Sequence, residues 1–172
     1  MGLASDLSYR FKPANLFQRM IQSFASTRPG AWLFAKLLRH VDDLFAKVTG
    51  GRVSAPGLLA GLPVIDLSTT GRKSGVRRTS HLISVPVGDT LALLGTNFGQ
   101  KATPAWVFNL EADPHADVTY KDRTLPVVAR PASDAEYAEV MLNSASVYGG
   151  YAKYRQRITG RTVRIFVLEP AG

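Results

Sequence analysis

From residue 63 the hydrophobic pattern switches to period two, in short runs separated by turn residues. This feature restricts the fold more than any other in the chain. Alternation over a handful of residues marks a strand with one face buried. Runs at 64–68, 82–87 and 91–95 fit it, with Gly88-Asp89 turning the second into the third. Runs at 118–120 and 125–129 make another hairpin around Lys121-Asp122-Arg123, and 163–168 forms a last strand. Residues 104–111 read as a short helix opened by Pro104. Ser133 followed by Glu136 is a capping box that opens a helix to about residue 143. Strands joined mainly as hairpins do not make a doubly wound parallel sheet, in which strand and helix alternate one for one. The pattern predicts an α+β chain: a small antiparallel barrel with peripheral helices.

Ahead of residue 63 the period is helical. Leu16, Phe17, Met20, Ile21 and Phe24 recur at helical spacing after Pro13, and TRPG at 27–30 breaks the run. A second helix is predicted from about 31, with Phe34, Leu37, Leu38, Val41, Leu44, Phe45 and Val48 on one face and Gly50-Gly51 as its stop. The chain thus divides into helices over 1–52 and a barrel domain over 53–172. Two readings of the helices fit. Either their apolar faces pack on the domain or a partner subunit, or they lie on a membrane surface. The formal charge of +8 favours neither, although its surplus is mostly N-terminal, with eight basic residues against three acids over 1–54.

Composition removes several function classes. A hydrophobic content of 45% with 20% charged residues is that of a globular protein, and 172 residues suffice for one core. The absence of cysteine excludes disulfides, thiolate metal sites and cysteine nucleophiles. His40, His81 and His115 stand at no metal-ligand spacing, so no metal is expected. No leader is expected from Met1–Lys12, and no run of about 18 apolar residues occurs in the sequence. The expected location is the cytoplasm, with peripheral contact to the inner membrane face if the N-terminal helices bind lipid.

Residues 69–82 read TTGRKSGVRRTSHL, with Arg72, Lys73, Arg77 and Arg78 inside seven positions and no acid between Asp66 and Asp89. The glycine spacing fits neither a P-loop nor a dinucleotide fingerprint. No aromatic residue occurs over 69–85, which argues against stacking nucleic-acid bases. A tight glycine turn between strands, carrying arginine forks and a lysine point charge, suits a phosphate or carboxylate. A solvated turn that keeps a hairpin edge soluble fits the composition equally.

LSTTGRKSG at 67–75, Arg78-Thr79, GTNFGQ at 95–100 and PAWVFNL at 104–110 with Asp113-Pro114 follow one another in order. In this arrangement the chain resembles the deazaflavin-dependent nitroreductases and related oxidoreductases, which bind coenzyme F420 on a split β-barrel. The resemblance covers about residue 62 to Pro170. It implies that Lys73 and Arg78 hold the phosphate and acidic tail of F420. Arg72, Ser74, Gly75, Thr79 and Ser80 are candidate cofactor-binding residues beside them, with Ser74, Gly75 and Thr79 shaping the turn. Thr96, Asn97, Phe98 and Gly99 would lie along the deazaflavin ring, and Trp106 and Asn109 on the helix that closes over it. Plain core packing is the alternative for Trp106. The chain departs from the family pattern at His81, often proline there, and at Phe98, lysine in some members. His81 could be an extra tail ligand, a proton donor or an ordinary strand residue.

Such a cofactor carries the redox chemistry, so no triad or carboxylate pair is expected, and none is visible. Reduction of a quinone, enone or nitro compound takes up a proton as well as a hydride. Tyr148, Tyr151 and Tyr154 repeat every third residue in the region where the resembling family places tyrosines over its substrate pocket. Tyr148, Tyr151 and Asn97 are therefore the candidate catalytic residues, and Ile83 with the three tyrosines the candidate substrate lining. Core packing of the tyrosines is the competing reading. The chain is expected to reduce a small conjugated acceptor as a monomer or homodimer. Alternatives are a non-catalytic carrier of F420 or a lipid-like ligand, and an FMN-binding relative.

Overall fold

In the computed structural model, which describes residues 2–10, 15–27, 29–30, 32 and 61–172, the alternating segments close into one barrel. Its strands are β1 (Val64–Thr70), β2 (Arg77–Val87), β3 (Thr90–Leu94), β4 (His115–Tyr120), β5 (Arg123–Pro131) and β6 (Ile165–Pro170). All neighbours pair antiparallel, in the cyclic order β1-β2-β3-β6-β5-β4. The expected antiparallel barrel is the observed one.

Alternation sets the two faces. Ile65, Leu67, Leu91, Leu93, Val118, Val127, Phe166 and Leu168 fill the interior. Val85, Val87, Ala92, Leu94, Ile165 and Val167 point outward from β2, β3 and β6. That outer face is covered by α4 (Asp134–Val147) and α5 (Gly150–Arg157). The capping box at Ser133 and Glu136 forms as predicted, and α4 runs four residues beyond the expected end.

Both ends of the barrel are plugged. The connections 71–76, 95–114 and 132–164 all leave one rim, because β1, β3 and β5 end there and β2, β4 and β6 begin there. At this rim α3 (Ala105–Ala112) inserts Trp106, Val107 and Leu110 into the core. The opposite rim is closed by α1 (Leu3–Asp6), a helix that sequence periodicity does not reveal. Its Leu3, and Leu7 just beyond, are buried in the barrel core. Asp89 at the β2–β3 turn accepts from the backbone N–H of Gly2 at 2.6 Å and from the Ser5 hydroxyl at 2.7 Å. These bonds hold its carboxyl below the usual range.

Two boundaries differ from expectation. β2 begins at Arg77, five residues earlier than predicted, because its first residues are polar on both faces and show no hydrophobic alternation. Register reveals it: Thr70 pairs with Arg77, Thr69 with Arg78 and Ser68 with Thr79. α2 (Leu16–Ala25) is capped by Asn15 and Gln18 in a reciprocal box. Its Leu16, Phe17, Met20 and Phe24 side chains are exposed among the described residues. Pro13, the predicted second helix and its Gly50-Gly51 stop lie outside the described residues. No described helix is long and apolar enough to cross a membrane.

Candidate functional site

The basic turn, the GTNFGQ loop and α3 meet on one rim, and α3 joins the other two. Residues 71–76 fold as a tight turn closed by Gly71 N–H to Val76 O at 2.9 Å and Gly75 N–H to Gly71 O at 2.7 Å. Gly75 takes φ +66°, and a side chain added there would meet open space. The buried Asn109 of α3 accepts from the Arg72 backbone N–H at 3.1 Å and donates to the Thr69 hydroxyl at 3.0 Å. Asn109 is thus a brace between helix and turn. One residue earlier, the Phe108 ring lies 4.4 Å from the Arg72 guanidinium carbon and 5.5 Å from that of Arg164. Arg164 also pairs with Glu111 at 2.7 Å.

Strand alternation sorts the cations. Arg78 and Ser80 share the inward face with Thr69 and Leu67. A side chain built at Gly71 would come within 3.5 Å of Arg78 Nε and 2.8 Å of Ser74 Oγ, so the arginine folds back over the turn. Arg72, Lys73, Ser74 and Arg78 are exposed. Arg77, Thr79 and His81 take the outer face. There Arg77 pairs with Asp117 of β4, the Thr79 hydroxyl meets that of Ser68 at 2.9 Å, and His81 Nδ1 lies 2.5 Å from Asp66. The acid missing from the local sequence is therefore supplied across the sheet. The structure separates Thr79 and His81 from Arg78 by the thickness of the strand.

The 95–100 loop packs from the other side. Gly95 lies against Val107 of α3, with a built Cβ 3.0 Å from its methyl. Thr96 is buried, and Asn97, Phe98 and Gly99 have φ of 48°, 55° and 77°. The Asn97 side-chain amide donates to Ala102 O at 3.0 Å. The Phe98 ring meets Tyr154 edge-on at 6.2 Å. Trp106 is buried in the barrel core, edge-on to Phe166 at 6.1 Å.

The tyrosines form a packed cluster outside β2, β3 and β6. Tyr148 closes α4 and Tyr151 and Tyr154 sit on α5, all three buried. The Tyr148 and Tyr154 hydroxyls are 2.9 Å apart, and the Tyr151 hydroxyl donates to Ile83 O at 3.3 Å. Burial pushes all three phenols up, so each is a neutral hydrogen-bonding group. Gly150 is required beside them, since a Cβ there would strike the Tyr148 ring at 2.2 Å.

Sequence reasoning missed the residues that hold these parts. Arg161 donates to the carbonyls of Gly95, Thr96 and Gln100, and Arg157 reaches Ser26 O of the N-terminal segment at 2.6 Å. Lone arginines bonded to distant backbone leave no periodic or local signature. Among the described residues no group of three His, Asp or Glu could hold a metal.

The family model of F420H(2)-dependent quinone reductases matches residues 37–170. The F420H(2)-dependent quinone reductase Rv1261c of Mycobacterium tuberculosis (strain ATCC 25618 / H37Rv) is 30% identical over 141 residues, spanning 77% of this chain and 89% of that protein. A solved F420-H2 dependent reductase (FDR-A) superimposes with a TM-score of 0.57 at 30% identity, covering 62% of this chain and 94% of that one. Another solved chain, described as a domain-swapped dimer, gives a TM-score of 0.58 at 25% identity over 82% of this chain and 99% of its own. With its six-stranded barrel and its basic rim, the chain belongs to the F420H(2)-dependent quinone reductase family.

Proposed function

We propose that this F420-dependent oxidoreductase reduces a quinone, and that the rim carrying α3 is where it does so. One observation carries the reading: Asn109 of α3 bonds the basic turn, Val107 of α3 packs beside Gly95 at the start of the GTNFGQ loop, and both connections leave the same end of the barrel. F420 has a phosphodiester and a glutamate tail at one end and a flat heteroaromatic ring at the other. The exposed Lys73, Arg78 and Arg72 fit the anionic end, and the space beside Gly75 lets a phosphate approach the backbone. Thr96, Asn97, Phe98 and Gly99 would border the ring. The bound cofactor would supply a hydride.

The chain's own groups supply position and hydrogen bonds. The neutral phenols of the cluster can hydrogen-bond a quinone oxygen, while their mutual bonds fix their orientation. Trp106 and Asn109 act from beneath, as core and brace. Residues 53–172 form the cofactor-binding unit in this reading, with α1 sealing its far rim. The enone and nitroaromatic acceptors belong to the same reading, because each accepts a hydride and a proton.

Purified protein mixed with reduced F420 and menadione tests it. Catalysed reoxidation of the deazaflavin is expected, with F420 preferred over FMN in competition. Tight F420 binding without turnover of any quinone would make the protein a carrier. Preference for FMN would move it to a flavin-binding relative.

A further inference from the structure

Three successive residues of the 95–100 loop, Asn97, Phe98 and Gly99, occupy the left-handed region. Two of them carry a Cβ, for which that backbone is disfavoured. Within the loop only short-range bonds oppose this: Gly99 N–H to Thr96 O at 3.0 Å, Gln100 N–H to Asn97 O at 2.9 Å and the Asn97 amide to Ala102 O at 3.0 Å. From outside, Gly95 N–H donates to Arg164 O at 2.9 Å and the Phe98 ring meets Tyr154, but the one side chain that bonds carbonyls at both ends of the turn is Arg161, more than sixty residues away. Its Nη1 donates to Gly95 O at 2.8 Å, and its Nη2 to Thr96 O and Gln100 O, each at 3.0 Å. One planar fork thus binds carbonyls at both ends of the turn. Its Nε is buried without a partner. Burial, with the neighbouring Arg164 charge, lowers the guanidinium below its usual range. Side-chain desolvation of this kind is tolerated where the hydrogen bonds it allows are well made.

The same bonds orient the donors on the opposite side. No cis peptide bond occurs among the described residues, so each carbonyl turned toward Arg161 turns the N–H of the next residue away from it. The Asn97 N–H is directed in this way, as is that of Lys101. Arg161 lies just past α5, whose Tyr154 and Arg157 also back Gly99: a Cβ there would stand 3.2 Å from Tyr154 Cα and 3.4 Å from Arg157 Cβ.

We infer that Arg161 is a positioning residue of the cofactor site, fixing the 95–100 loop in the form that borders the deazaflavin. The inference rests on the F420 reading of that loop. Lysine replaces it only in part, because an ammonium is a point charge with no planar fork to span three carbonyls.

F420 fluorescence titration of wild type, Arg161→Ala and Arg161→Lys tests this, with steady-state kinetics alongside. We expect the F420 Kd of Arg161→Ala to rise about tenfold or more, with Arg161→Lys intermediate, and millimolar guanidinium to restore part of the loss in Arg161→Ala. KM for reduced F420 should rise while KM for menadione stays within about twofold. An F420 Kd unchanged in both variants overturns the inference, and so does an equal loss for both substrates that follows lowered thermal stability. If Arg161→Ala does not fold, Arg161→Lys carries the same comparison. Wild type failing to bind F420 defeats the cofactor reading itself, an outcome read before either variant is used.

Discussion

At the scale of single residues, Gly75 and Gly99 separate two reasons for a glycine. Both have positive φ, +66° and +77°, yet a Cβ at Gly75 meets nothing within 4 Å whereas one at Gly99 sits 3.2 Å from Tyr154 Cα. Gly75→Ala should cost only the left-handed penalty, about 1 kcal/mol, a Tm loss of about 2–4 °C for a chain of this size. Gly99→Ala should cost more and should also weaken F420 binding, since α5 cannot retreat without moving Tyr154. Thermal unfolding of the two variants checks this; equal losses would mean that close packing is not what Gly99 serves. The sequence showed the glycines and the basic residues, and placed the basic turn between two strands and the GTNFGQ loop between a strand and a helix. It did not show that Asn109 ties α3 to the basic turn, because its partners, Thr69 and the Arg72 N–H, are some forty positions upstream. Nor did it show that Arg77 is neutralised by Asp117, a pairing across the sheet.

At the scale of elements, what was legible follows from how strongly each element repeats. Strands with one buried face and the capped helix α4 stand out in the sequence. The start of β2 does not, since Arg77 to Ser80 are polar whichever way they point, and neither does α1, too short for a period. At the entrance to α4, Arg130 on β5 donates to both oxygens of Glu136 at 2.7 and 2.6 Å while Glu169 takes its Nε at 2.7 Å. Arg130 and the Ser133 N–H pull the Glu136 carboxyl from 4.5 down to about 2. A carboxyl whose folded value lies below its unfolded one binds more protons when unfolded. Its contribution is therefore complete above about 4.5 and is lost as pH falls toward about 2. Glu136→Gln should lower Tm at pH 7 and shrink the fall in Tm between pH 5 and 3 relative to wild type. Parallel Tm–pH curves for the two proteins would sink the assignment.

Among the described residues the barrel is stoppered at both ends, by α1 on one rim and α3 on the other, and side chains fill its interior, so the proposed site lies on the outside of a rim. The rim that carries the long connections also carries Arg72 and Lys73, exposed on a turn whose shape is fixed by backbone bonds and by Asn109, and Arg78, exposed at the start of β2. Cations held in place near water attract a polyanionic tail over several ångströms but are open to screening. Salt shortens that reach from about 8 Å at 0.15 M to about 3 Å at 1 M. F420 affinity should therefore fall several-fold as salt is raised across that range, while KM for an uncharged quinone barely moves. Most of the remaining basic surplus is N-terminal in sequence, outside the segment that carries this turn. The double variant Lys73→Ala/Arg78→Ala separates the two sources. It should bind F420 at least about tenfold more weakly at low salt and, having lost the charges that salt screens, should show a flatter dependence on salt. Titration at three ionic strengths reads both quantities at once. A double variant with wild-type affinity, or with the wild-type salt slope, would place the anionic tail somewhere other than the turn that α3 holds open.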